Sequence, residues 1–225
     1  MTKNGNGFTA RSFDLLDALA HDNSKDWFDA HRADFDEYVR EPFAAFLEAL
    51  TEQLSGSDIA LQGSAATMFR QARDVRFSDD KRPYSELVSG LLTETGDKNE
   101  AGRLAYLELD ADGGRIGGGM HRPKAKDLAP VRQRMIDEPD AFQSVLDTLH
   151  DADTDFEHGD AVETMPRGFS DHSDHRYADI IRLKQLLAMR PIPKTAWLDD
   201  TAADRAVEAI HALAAFYEFI EAAHR

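Results

Sequence analysis

The chain has 225 residues, 42% of them apolar and 30% charged, with no cysteine and a formal net charge of −16. That balance is one of a folded soluble protein and excludes disorder, while the missing cysteine removes disulfides, thiolate metal sites and cysteine nucleophiles together. No run approaches the ~18 apolar residues of a membrane span. The opening Met-Thr-Lys-Asn-Gly-Asn-Gly lacks the apolar stretch of a secretory signal, and so acidic a surface repels the phosphates of duplex nucleic acid. A cytoplasmic protein with no membrane or duplex nucleic-acid partner is expected, its oligomeric state left open. Asp outnumbers Glu by 28 to 14; such a surface serves either solubility in a salt-rich habitat or a basic partner.

In chain order, the first sixty residues read as helices. Thr9 is a candidate N-cap, with Phe8 and Phe13 placed as a hydrophobic staple and Phe13, Leu16 and Leu19 on one face. Ser24 caps a second helix carrying Trp27, Phe28, His31, Phe35 and Tyr38. Pro42 interrupts or kinks it, because it lacks the N–H that an interior turn needs. Phe43, Phe46, Leu47, Leu50 and Leu54 then run on to a stop at Gly56. Residues 66–71 and 85–95 read as strands, and Arg103–Asp110 alternates, with Leu104, Tyr106 and Glu108 on one face. Asp112-Gly113-Gly114 is a hairpin turn leading into Arg115–Met120, since these residues tolerate positive φ. Two helices follow, one beginning around Asp127–Pro130 and one at Pro139. Residues 174–182 read as a short helix and Leu183–Met189 as a strand ending before Pro191 and Pro193, and Asp200 caps a last helix. Helices, then strands, then helices imply an α+β fold. The expectation is one domain over residues 1–225, with a central, mainly antiparallel sheet from 66–121 plus 183–190 flanked by N- and C-terminal helices, and with residues 1–8 a flexible tail.

Positive charge is concentrated. Windows 67–84, 115–134 and 167–190 together hold 16 Lys/Arg against 7 Asp/Glu, and the remainder holds 10 against 35. The densest stretch is Arg70 to Tyr84, with Arg70, Arg73, Arg76, Lys81 and Arg82. A carboxylate such as Asp74 among arginines orients guanidinium groups by bidentate hydrogen bonds, which makes either an anion receptor or a structural clamp. Val75, Phe77 and Tyr84 flank these charges, which predicts that Arg76 and Lys81 turn inward into one polar network with Asp74 or Asp80, because buried charge must be paired. Ile116 to Met120 contains Gly117, Gly118 and Gly119, which either admit a close backbone or form an anion-accepting nest of N–H groups. In the third window His172 and His175 stand beside Asp171 and Asp174. That set is read as loop and helix cap, so no metal and no cofactor are expected.

Arg73-Asp74-Val75-Arg76-Phe77-Ser78, followed by Asp80-Lys81 and Pro83-Tyr84, resembles the hallmark of domain of unknown function 2461, a family of conserved hypothetical proteins of bacteria and fungi. Asn23 to Phe28, Gly117–Gly119 with Pro123, Pro166 to Phe169, and His175 with Ile181 to Lys184 are similar to its further motifs in order. Asp79 stands where the family commonly has lysine, Ser85 follows the tyrosine in place of lysine, and Arg176 replaces a proline after the histidine. The first two departures lower the local positive charge. The resemblance implies a site and no activity. The residues themselves point to a small anionic ligand, a phosphate ester or carboxylate. Its binding group would be Arg73, Asp74, Arg76, Ser78, Asp80, Lys81 and Tyr84, Gly118 and Gly119, and His175, Arg182 and Lys184, if the fold brings the three windows together. One alternative is a hydrolase or transferase acting on such an anion, with Lys81, Tyr84 or His175 in acid–base roles. The other is a structural ion network in an interaction module.

Overall fold

In the computed structural model the described residues are 7–100 and 102–225. They form an α+β fold in which helices flank a five-stranded antiparallel sheet of order β1-β2-β3-β5-β4. The strands are β1 (Val88–Thr93), β2 (Leu104–Leu109), β3 (Gly113–Met120), β4 (Asp155–Phe156) and β5 (Leu186–Pro193). The helices are α1 (Ala10–His21), α2 (Lys25–Phe35), α3 (Glu41–Leu54), α4 (Ala125–Asp137), α5 (Pro139–Asp151), α6 (Ala178–Ile181), α7 (Lys194–Leu198) and α8 (Ala202–Ala223). The chain divides into two compact units, Met1–Ile116 with Pro191–Val207 and Gly117–Arg190 with Glu208–Arg225. Among the described residues no helix is long and apolar enough to cross a membrane.

In the first unit, Ser24 opens α2 by accepting the Trp27 N–H at 3.2 Å. Pro42 acts as expected, with a local remedy: Asp36–Arg40 widens into a π turn in which Glu41 N bonds Asp36 O, five residues back, before α3 starts with Pro42 in its first turn. Phe13, Leu16 and Leu19 of α1 and Phe43, Phe46, Leu47, Leu50 and Leu54 of α3 are buried almost completely. Gly90 of β1 lets that layer close onto the sheet, since a Cβ there would stand 2.9 Å from Leu47 Cδ1. Phe8 is not part of a loose tail: it is 6% exposed, its ring 5.0 Å from Trp197 and 6.2 Å from Phe46. Of the rest of the expected tail, Gly7 is exposed and residues 1–6 lie outside the described residues.

β1 and β2 pair antiparallel from Val88↔Leu109 to Thr93↔Leu104. Asp110 N to Gly113 O at 2.7 Å closes the hairpin into β3. Along β5 the glycines of β3 descend in register, Gly113 against Ile192, Gly117 against Ala188 and Gly119 against Leu186, which is antiparallel.

Three expected elements shift. Residues 66–71 make no strand, because Ser64 caps a 3₁₀ turn over Ala65–Thr67, and only a single bridge, Met68↔Gly90, follows. The helix expected at 174–182 contracts to α6, behind a 3₁₀ turn at Ser170–His172. β5 starts later than expected and runs through both prolines. β4 pairs only with Ala188 and Met189, so beyond Met189 that side of β5 is an edge where proline forfeits no ladder bond.

The second unit has an aromatic core. Phe142 lies 5.2 Å from Phe219 and 4.8 Å from Tyr177, and Phe156 lies 4.9 Å from Phe216. The Tyr177 hydroxyl stands 2.9 Å from both Pro139 O and Gln143 Oε1, so its polar tip is satisfied at the rim of that core.

Candidate functional site

The segment Arg70–Glu86 belongs to the first unit and is held at both ends. Arg73 N donates to Pro83 O and Ser85 N to Gln71 O, each at 2.8 Å, so 71–73 and 83–85 form a short antiparallel ladder closed by the Ala72↔Tyr84 bridge. Gln71, 6% exposed, donates its amide to Ser85 O and to Leu87 O. Asn23, from the connection between α1 and α2, reaches across to the same ladder. Its Oδ1 accepts Tyr84 N at 2.9 Å and its Nδ2 donates to Tyr84 O at 3.3 Å, which replaces one residue of a neighbouring strand. The Tyr84 ring stacks on Phe28 at 4.1 Å. Asn23→Ala removes both hydrogen bonds and is expected to cost about 1–2 kcal/mol. Chemical denaturation measures that loss, and faster hydrogen exchange at the Tyr84 amide places it; unchanged exchange there would show that the ladder holds without Asn23.

Between the two ends the charges neutralise each other. Asp80 accepts Arg73 Nη1 and Arg82 Nη2, each at 2.7 Å, and Arg82 also pairs with Glu86. Asp74 takes a bidentate fork from Arg76, Nε at 2.9 Å and Nη2 at 2.6 Å. The hydrogen bonds from Arg82, then that from Arg73, hold the Asp80 carboxyl far below the usual range, and Arg76 lowers Asp74 in the same way. Segment 70–86 thus sets Asp74, Asp79, Asp80 and Glu86 against five cations. Lys81 is the exception among the predicted site cations: its Nζ donates to Val75 O at 3.1 Å and pairs with no carboxylate among the described residues. Arg76 has its expected acidic partner, but the inward orientation is overturned. Its side chain is 76% exposed, Lys81 is exposed, and Phe77 is 95% exposed at the turn. The turn closed by Ser78 N to Val75 O carries these side chains outward, and fork pairing does not require burial.

The other predicted site residues belong to the second unit. Arg182 pairs with Asp179, and Lys184 with Asp160 at 2.8 Å. His175 Nδ1 accepts Tyr177 N at 3.2 Å; burial, then neighbouring His172 and Arg176, lower its pKa and favour the neutral ring. Gly118 is buried within β3, and the Gly119 N–H is donated to Tyr217 Oη at 2.9 Å. Gly119, like Gly117, therefore serves the close approach of β5, and its amide is engaged within the fold. Seven of the predicted residues fall in one unit and five in the other.

One polar cluster escaped the sequence reading. On the sheet in the first unit, Glu108, 8% exposed, accepts the Tyr106 hydroxyl at 2.6 Å and pairs with Arg115. Burial, reinforced by Glu108, pushes the Tyr106 phenol well above its usual range. The expected turn at Asp112–Gly114 would not have paired them; the observed turn, closed by Asp110 N to Gly113 O, places residue 108 opposite 115.

Residues 11–219 match the family described as conserved hypothetical protein (DUF2461), and the chain belongs to it. No curated protein and no solved structure matches the chain.

Proposed function

We propose that this member of the DUF2461 family binds a small anion, a phosphate ester or a carboxylate, at the loop Arg73–Tyr84. The observation that carries the reading is Lys81, whose ammonium has no carboxylate partner in a loop whose other predicted cations are paired. Arg73 and Arg82 are oriented by Asp80, and such oriented forks present donors at little further entropic cost. Tyr84, fixed by Asn23 and Phe28, supplies a neutral donor.

A ligand that binds only the folded state raises apparent stability, so melting is measured across phosphorylated metabolites and small carboxylates at matched ionic strength. One class should raise Tm saturably, and Lys81→Met should weaken that response at least about tenfold, the loss of one charge-assisted contact. Absence of any anion-specific rise, or an equal response in Lys81→Met, sinks the reading.

The near balance of charge in segment 70–86 favours a second reading, a structural clamp without ligand. Under it, Arg73→Ala lowers stability and no anion alters the difference. Because Arg76 and Asp74 meet in solvent, Arg76→Ala discriminates little between the two.

A further inference from the structure

Two arginines are more than nine-tenths buried among the described residues, Arg190 at 4% exposure and Arg132 at 6%. Both lie in the second unit, and their surroundings differ in kind. Arg190 meets two carboxylates, Glu208 at 2.8 Å and Asp153 at 3.4 Å. Arg132, on the buried face of α4 with Leu128, Val131 and Met135, meets none. Its Nη2 donates to the neutral Leu183 carbonyl at 2.8 Å, and its Nε is sealed from solvent without a hydrogen bond. Among the described residues Nη1 has no acceptor, and it is not sealed, so the guanidinium has one open side. Three carboxylates, at the end of α4, on α6 and in the loop before it, are paired elsewhere: Glu138 with Arg134, Asp179 with Arg182, and Asp160 with Lys184.

We propose that Arg132 anchors a binding site for a small oxyanion, a carboxylate or phosphate group, which reaches the guanidinium at Nη1. A desolvated cation facing one carbonyl is the arrangement that folding disfavours unless a counter-charge completes it. Nη1 offers charge-assisted N–H donors to an oxygen of either group. Burial already lowers the Arg132 proton affinity from its ordinary value, as expected for a charge lacking a counter-ion. The site uses no residue of the Arg73–Tyr84 loop and goes beyond the ligand proposed there.

The test follows the Arg132 Nε–Hε NMR signal of the full chain at low ionic strength. Inorganic phosphate and acetate are titrated separately, with chloride at matched ionic strength as control. A saturable shift with phosphate alone identifies a phosphate group, and one with acetate alone a carboxylate. A shift with both identifies the shared oxyanion chemistry, and each of these supports the proposal. Tm should rise by about 3 °C when the effective anion is about ten times its Kd. Arg132→Met should abolish that rise while leaving the anion-free protein at least as stable, because it removes an unpaired buried charge. Arg132→Lys, which keeps charge but cannot hold the Leu183 carbonyl and reach the open side together, should bind at least about tenfold more weakly. A shift no larger than chloride produces overturns the proposal, as does an Arg132→Met deficit that is equal at every anion concentration. If Arg132→Met does not fold, the wild-type titration decides alone. Lys81→Met should retain the Arg132 shift, so the loop reading and this one fail separately.

Discussion

Trp197→Ala is expected to destabilise the protein by about 3–5 kcal/mol, the range for deleting a fully buried large aromatic. Trp197 is 0% exposed and joins three parts of the first unit. Its ring lies 5.0 Å from Phe8 and 4.8 Å from Phe46, and Gly114 of β3 approaches so closely that a Cβ there would stand 2.8 Å from Trp197 Cζ2. Its Nε1 donates to Ile192 O at 3.2 Å, so alanine also loses a buried hydrogen bond. Trp197→Phe should recover more than half of the loss, since it restores ring packing without the donor. Urea unfolding measures both; a loss below about 1 kcal/mol for alanine would mean that the site collapses around the cavity and that Trp197 does not organise this layer.

Gly117→Ala should cost at least about 3 kcal/mol, at the upper end of overpacking penalties. The reason is backbone against backbone. The added methyl would run into the Ala188 carbonyl and stand 2.8 Å from Met189 Cα, and neither strand can yield without breaking the β3–β5 ladder. Gly159→Ala is the control: its Cβ meets nothing within 4 Å, so a change within about 0.5 kcal/mol is expected. Equal effects at the two glycines would refute close strand approach as the reason for glycine at 117.

What could be read from the chain was what its own neighbours decide. Ser24 caps α2, and the hairpin expected at Asp112-Gly113-Gly114 turns within two residues of it, closed from Asp110 to Gly113, because each needs partners only two or three residues away. The apolar rows of α1 and α3 are core because helical periodicity puts them on one face whatever they pack against. The Arg73–Tyr84 segment was equally visible as a charge-dense loop, with Asp74 or Asp80 expected to partner Arg76 or Lys81; Asp74 is the partner of Arg76.

Long-range contact decided the rest. Locally Phe8 has only its staple position before α1; Trp197, far along the chain, helps to bury it. Pro191 and Pro193 read as strand breakers until the shortness of β4 leaves them an open edge. Arg76 and Arg132 look alike in sequence, each a cation near apolar residues, yet one is solvated beside Asp74 and the other buried against Leu183 O. Local pattern by itself determined which segments are helix, turn and charged loop, because propensity and hydrogen bonding act over a few residues. Only the tertiary structure decided which charges lose their water, because desolvation depends on what distant parts of the chain place around them.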